Sequence, residues 1–149
     1  MNDAWIIETA DNARLRRESE DTRRDYFLAC WREAELELPR AWDRLKRDVK
    51  AAIEMFVAGS GCKVYYSERF DGEICISTAK SQRDISLTVK LVKERRQIEC
   101  SGREELDKVP RWLAIKVDVG LVTFDTISGR LFEHDIVEAI LKPLFELAE

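Results

Sequence analysis

The chain has 149 residues, of which 45% are apolar, so one domain can bury a hydrophobic core without help from a disulfide or a metal ion. Its net charge of −4 disfavours nonspecific attraction to nucleic acid or anionic lipid. No apolar run approaches the length of a membrane span, and acids stand where a signal peptide would be basic. We therefore expect a cytoplasmic protein that does not insert into a membrane.

The first element is a charged segment in which arginines and acids balance. Residues 11–25 hold equal numbers of both, so their charges sum to zero. An arm that binds nucleic acid would need an excess of positive charge. The composition therefore predicts that residues 1–25 form either a solvated helix or a frayed end.

A helical stripe follows, because apolar residues recur every three or four positions from Phe27 to Phe56. This spacing predicts a helix over residues 26–57. Pro39 lies within it and either kinks the helix or divides it into a hairpin of two helices. A single helix over residues 21–57 would be about 55 Å long, whereas a globule of this size is roughly 40 Å across. An unbroken helix would therefore overhang its own domain, and its stripe would need a partner chain.

The candidate interface residues are the larger members of this stripe. A second copy of the chain is the expected partner, so the prediction is a homodimer. The candidates are Phe27, Trp31, Leu38, Trp42, Leu45, Val49 and Phe56.

Beyond Gly61 apolar residues recur at every second position, which indicates β-strands. Strands over residues 63–70 and 73–79 flank Asp71-Gly72, a typical hairpin turn. A three-residue loop that pairs Tyr66 with Ile76, and Glu68 with Ile74, places the most apolar surface on one face. We therefore expect this register rather than that of a two-residue loop.

Further strands are predicted over residues 85–91 and 97–101, followed by a polar connection over 103–110 that holds one helical turn. Leu113 to Phe124 alternates but changes phase at Gly120, so we expect a bulge there. Together these segments predict an antiparallel sheet of four to six strands over residues 62–125.

The last element is a predicted helix over residues 135–147. Asp135 and Glu138 have capping-box spacing at its start, and its wide apolar face suits the cover of a sheet. The expected fold is a single α+β domain with an N-terminal helix or helical hairpin, an antiparallel sheet, and this C-terminal helix packed on one sheet face.

Residues that usually announce a chemistry are missing from the sequence. His134 is the only histidine, which excludes sites that need two, and no Gly-x-Ser-x-Gly motif is present. The cysteines are spaced irregularly, so we expect free buried thiols; a zinc site that adds His134 is the alternative. We expect no catalytic residue, cofactor or metal ion. The alternative zinc ligands are Cys62, Cys75, Cys100 and His134, and the remaining cysteine is Cys30.

One stretch, residues 80–96, carries a local excess of positive charge. It either binds an anionic ligand or nucleic acid, or protects a sheet edge from pairing with another chain. The candidate anion-binding residues are Lys90, Lys93, Arg95 and Arg96.

These features favour a non-enzymatic protein–protein interaction module, an adaptor, regulator or chaperone-like protein that forms a homodimer. Anion or nucleic-acid binding through residues 80–96 is the alternative. A small enzyme that uses cysteine or carboxylate side chains is the third hypothesis.

Overall fold

One continuous α-helix, α1 (Ala4–Ser60), forms the N-terminal part of the protein. The computed structural model describes residues 3–70, 72–118 and 120–149. The helix passes through Pro39 without interruption and ends at Gly61, whose left-handed backbone (φ 73°) lets its N–H donate to the Val57 carbonyl at 3.0 Å. Residues 4–25 therefore belong to the same helix as residues 26–57, and no helical hairpin forms.

The position of Pro39 explains why the helix survives it. Pro39 has no N–H, so the Glu35 carbonyl lacks its usual hydrogen-bond donor within the helix. Both residues are exposed to solvent. Water can therefore satisfy that carbonyl, and the buried face of the helix keeps its hydrogen bonds.

The rest of the chain is a seven-stranded antiparallel sheet in which every strand pairs with its sequence neighbours, in the order β1 to β7. Single 3₁₀ turns follow β3 and β4. The strands are β1 (Val64–Phe70), β2 (Glu73–Lys80), β3 (Arg83–Val92), β4 (Gln97–Gly102), β5 (Trp112–Asp118), β6 (Leu121–Thr126) and β7 (Gly129–Phe132).

The prediction of four to six strands is wrong, since the segment read as one bulged strand is the hairpin β5–β6. Gly120 (φ 77°) lies in the turn, and Asp118 pairs with Leu121. The chain reverses direction at this turn, and residues that pair across an antiparallel hairpin lie on the same face of the sheet. Val117 pairs with Val122, so the apolar residues before and after Gly120 share one face without a bulge. The short strand β7 adds the remaining strand. Val119, also assigned to the predicted strand, lies outside the described residues.

The register predicted for the first hairpin is confirmed: Tyr66 pairs with Ile76 and Glu68 with Ile74. The loop differs, because an irregularity between Glu68 and Phe70 lets Phe70 pair with Glu73. Asp71, part of the predicted turn, lies outside the described residues.

Helix α2 (Glu133–Leu147) begins two residues before the predicted position. Its N-cap is Phe132, with no side-chain cap, so the predicted capping box at Asp135 and Glu138 is wrong. The helix runs parallel to α1, since Arg44 binds Glu133 at one end and Phe56 stacks on Phe145 at the other.

A hydrophobic core lies between one face of the sheet and the two helices. The alternate residues of every strand from β2 to β6 point into it, and the second half of α1 covers them. Its largest fully buried side chains are Phe124, Ile74, Ile76, Ile85, Leu87, Ile98, Leu113, Ile136, Ile140, Leu141, Leu144 and Val49.

Replacement of Pro39 by alanine should stabilise the protein by about 2 kcal/mol. An interior proline costs a helix about 3 kcal/mol, and greater freedom of the unfolded chain offsets up to about 1 kcal/mol of the gain. Urea unfolding measures the change. The exposed Glu35→Ala is the control and should stay within about 0.5 kcal/mol of the parent. A destabilised Pro39→Ala would show that the fold needs a bend at this position.

Candidate interaction surface

The first half of α1 extends beyond the sheet as an exposed helical arm, defined here as residues 4–31. Every residue from Asp3 to Ala29 is exposed, and the first buried residue of the helix is Ala34. At 1.5 Å per residue the arm is about 42 Å long. Most helices in proteins gain their stability by packing an apolar face, and most of the arm has no such packing within its own chain.

Large apolar side chains gather at the two ends of the arm. Trp5 is 66% exposed at the tip and Phe27 is 66% exposed at the root, while the segment between them is charged. Exposed apolar groups concentrated in this way mark interaction sites more often than scattered ones do. The exposed apolar residues of the arm are Trp5, Ile6, Ile7, Leu15, Tyr26, Phe27, Leu28 and Trp31.

Contacts with two turns of the sheet fix the root of the arm. The Arg96 guanidinium lies over the Trp31 ring, 5.3 Å from its centroid, and a carboxylate oxygen of Glu33 accepts the Gly120 N–H at 2.6 Å. A hydrogen bond with Cys30 raises the pKa of Tyr26. The arm therefore leaves the domain in a defined direction rather than from a loose hinge.

The charged middle of the arm is held by weak contacts within the helix. Arg14 lies 3.5 Å from Asp11 and 4.0 Å from Glu18, and all three side chains are more than half exposed. Exposed pairs of this kind contribute at most a few tenths of a kcal/mol. The charges of the segment are therefore free to pair with another chain.

The structure separates the predicted interface residues into three groups. Phe27 and Trp31 lie exposed on the arm. Phe56 is half-buried and stacks on Phe145, with ring centroids 4.1 Å apart. The others are buried against this chain's own sheet, so they are not accessible to a partner: Leu38, Trp42, Leu45 and Val49.

Sequence reasoning did not list the tip of the arm, Trp5 to Ile7, among interface candidates, although this apolar patch is visible in the sequence. The charged residues between it and Phe27 break the stripe. The two apolar patches lie on the same helix only if α1 is continuous. The sequence did not show that continuity, so the tip was not predicted as part of the interface.

The predicted anion-binding residues do not form a cluster of unpaired cations. Lys90 stands between Glu73 and Glu99 on adjacent strands, and Arg95 lies 3.5 Å from Glu99. Arg96 stacks on the arm, and Lys93 is exposed. Acidic neighbours thus offset much of the positive charge that the linear sequence concentrates in residues 80–96.

The candidate ligands of a zinc site are not brought together. Cys75 pairs with Thr88, which pairs with Ser101, so Cys75 and Cys100 point to opposite faces of the sheet. His134 is exposed and stacks on Phe132. Within residues 3–70, 72–118 and 120–149, no group of three or more histidine, cysteine or acidic side chains could hold a metal ion.

Two open clefts lie beside α2. The larger, about 1000 Å³, lies between α2, the loop before β5 and the β6–β7 turn, and its charged lining mixes both signs. The smaller, about 510 Å³, is an apolar groove along Phe56, Val137 and Phe145. Close to the larger cleft, Asp125 binds Lys116 and Arg130, which lower the pKa of its carboxyl group.

No family model, curated protein or solved structure matches this chain. Across the described part of the chain, no helix has the length and apolar character needed to cross a membrane.

The thiols should divide by reactivity. Burial raises the pKa of Cys100 to about 12, so its thiolate is scarce at neutral pH, and Cys75 is also buried. We expect a maleimide to modify the half-buried Cys30 and Cys62 in the native protein, and all four cysteines after unfolding. Peptide mass spectrometry identifies the modified sites. Fast labelling of Cys100 in folded protein would contradict the packing described.

Proposed function

We propose that the protein is a non-enzymatic interaction module that forms homodimers through the arm. The observation that carries the proposal is the arm itself, a helix about 42 Å long whose apolar ends contact little of its own domain. A partner that covers these ends would remove their apolar side chains from water and would stabilise the helical conformation of the arm.

The energetics favour an occupied arm. Full burial of one large apolar side chain contributes roughly 1.5–3 kcal/mol, and the arm carries such side chains at both ends. Trp5 and Phe27 are each 66% exposed, so much of this free energy is still available for binding. Ordering two chains and their side chains offsets part of it.

The charge of the arm supports a second copy as the partner. Residues 11–25 carry equal numbers of arginine and acidic residues, so two copies approach without net repulsion at this segment. A heterologous partner would instead be favoured by an arm of one sign. The domain behind each arm is then available to present the outer sheet face or the clefts beside α2 to further proteins.

The rival functions have weaker support. The cations of residues 80–96 have acidic neighbours, which weakens the attraction for phosphate groups. Cysteine is absent from the residues that line the clefts beside α2, and His134, which lines the smaller one, is the single histidine among them.

The protein should be a dimer at micromolar concentration, as measured by light scattering coupled to size-exclusion chromatography. Phe27→Glu should raise the dimer dissociation constant at least about tenfold, because the variant adds a charge to an apolar contact. Met55→Glu is the matched control: Met55 is 77% exposed on the part of α1 that covers the sheet, away from the arm, and its variant should dimerise like the parent.

A parent protein that is monomeric at every concentration tested would overturn the proposal. Equal dimerisation of Phe27→Glu and Met55→Glu would place the interface elsewhere. Circular dichroism and urea unfolding of both variants show whether each remains folded.

A further inference from the structure

We infer that two copies pair their arms in antiparallel orientation, with the tip of each arm on the root of the other and Arg17 of each chain beside Glu20 of its partner. The inference rests on the proposed homodimer and adds the orientation, the register and the charge pairs that select them.

The face of the arm that would pair is the continuation of the buried face of α1. In the second half of the helix, Ala34, Leu38, Ala41 and Leu45 lie on this face in steps of four and three, and all are buried. The same steps continue toward the N-terminus of the unbroken helix, and arms that pair along this row coil around each other with a left-handed twist, because a seven-residue repeat drifts by about 20° per heptad on a straight helix. The residues reached are Trp31, Phe27, Arg24, Glu20, Arg17, Ala13, Ala10 and Ile6.

A parallel pair would place identical residues of this face together. Arg17 would meet Arg17, Glu20 would meet Glu20, and Arg24 would meet Arg24, which makes three successive layers of like charge. Like charges brought together at a partly desolvated contact are strongly unfavourable. The sequence of this face therefore excludes the parallel arrangement as a stable pair.

An antiparallel pair about a two-fold axis midway between Arg17 and Glu20 removes this conflict. Each Arg17 then lies beside the partner's Glu20, and every other large or long side chain lies beside a small or apolar one. By symmetry every contact occurs twice. The facing pairs are Ile6 with Trp31, Ala10 with Phe27, Ala13 with Arg24, and Arg17 with Glu20.

The positions that flank this face agree with the same register in most places. On one side Ile7 lies beside Leu28 and Arg14 beside Asp21, an apolar pair and an ion pair. On the other side Thr9 lies beside Cys30. Arg16 lies beside Arg23, the one like-charged pair among these flanking positions.

The length of the arm fits the pairing. In this register the first helical residue, Ala4, faces Glu33 of the other chain. The turns of the sheet reach α1 from Trp31 onward, since the Arg96 guanidinium lies over the Trp31 ring and Glu33 accepts the Gly120 N–H, and Ala34 is the first buried residue. The tip of the partner's arm therefore meets the turns of the sheet at Trp31 and Glu33, so the paired arms occupy the exposed length of α1 up to these turns.

The apolar area is sufficient for a specific dimer. Aromatic side chains such as Phe27 and Trp31 bury about 150–250 Å² each when fully covered. Together with Ile6, Ile7 and Leu28, and counted on both chains, the pair buries on the order of 1,000 Å² of apolar surface. With the charged middle added, the total reaches the class of specific interfaces, about 1,200–2,000 Å².

Charge reversal at the central pair tests the inference in the full chain. Arg17→Glu and Glu20→Arg should each raise the dimer dissociation constant at least about tenfold, because each places like charges at both central contacts. An equimolar mixture of the two variants should form a heterodimer of parental affinity, since every central contact then joins opposite charges. Analytical ultracentrifugation measures the dissociation constants.

The mixture separates pairing between chains from effects within one helix. Residues 17 and 20 are neighbours on the helix surface, so each reversal also changes the intrahelical electrostatics. Mixing cannot repair a defect inside one chain. If both single variants dimerise like the parent, or if the mixture stays as weak as its components, the inferred register is wrong even though the protein dimerises.

Cross-linking tests the orientation directly. With Cys62→Ser as background, Thr9→Cys and the native Cys30 should be joined between chains by a short bis-maleimide. Within one chain they are about 31 Å apart along the helix, so the link must be intermolecular. The control, Glu8→Cys, points away from the pairing face and should give little of this product.

Peptide mass spectrometry identifies the linked residues. Links from residue 9 to Cys30 support the antiparallel pair. Links that join residue 9 to residue 9, or Cys30 to Cys30, indicate parallel arms and overturn the inference while leaving the homodimer intact. A monomeric parent protein overturns both the inference and the proposed function.

Discussion

The structure depends on the continuity of α1 through Pro39. One half of this helix is the main cover of the sheet, and the other half has no sheet beneath it. Because a helix keeps the same angular phase along its length, the face that buries Leu38 and Leu45 must reappear on the arm at Phe27 and Trp31. A break at Pro39 would have allowed the first half to fold back over the second. The backbone instead extends the buried face of the core into solvent.

The root of the arm is well fixed because two contacts of different kinds, an ion pair and an aromatic stack, hold the packed half of α1 against α2. The Arg44 guanidinium binds the Glu133 carboxylate with a shortest distance of 2.6 Å, and Phe56 stacks on Phe145. These contacts join the two helices at equal sequence offsets, which makes α1 and α2 parallel and in register. Rotation of α1 about its axis would break both, so the direction in which the arm displays its side chains follows from the packing of the core.

The sequence predicted local pairing better than the number of elements. The register of Tyr66 with Ile76 followed from placing apolar side chains on one face, a rule that operates within a few residues. The β5–β6 turn was misread, because a hairpin turn and a bulge at Gly120 both account for the same change of phase. Strand β7 has four residues and no clear alternation, so its assignment depends on the neighbour β6 rather than on its own pattern.

The sequence predicted only part of the candidate surface, because the apolar pattern does not show which residues the sheet covers. The stripe from Phe27 to Phe56 was visible, but the sequence could not show where the sheet would cover it. Burial by the sheet removes Trp42 and Val49 from the surface and leaves Phe27 and Trp31. The tip at Trp5 was separated from the stripe by charged residues, and charges on a helix face normally indicate solvent.

The charged residues in the middle of the arm can also determine the orientation in which two arms pair. An arm with apolar residues along its whole face could pair in either direction and in several registers, and it could aggregate. Arg17, Glu20 and Arg24 make the parallel pair repulsive, and they leave the antiparallel pair with attraction between Arg17 and Glu20. Polar groups at such positions reduce affinity but define orientation, as they do in coiled coils. In the proposed homodimer, antiparallel arms would place the two sheet domains at opposite ends of the pair, so neither domain would block the surface of the other.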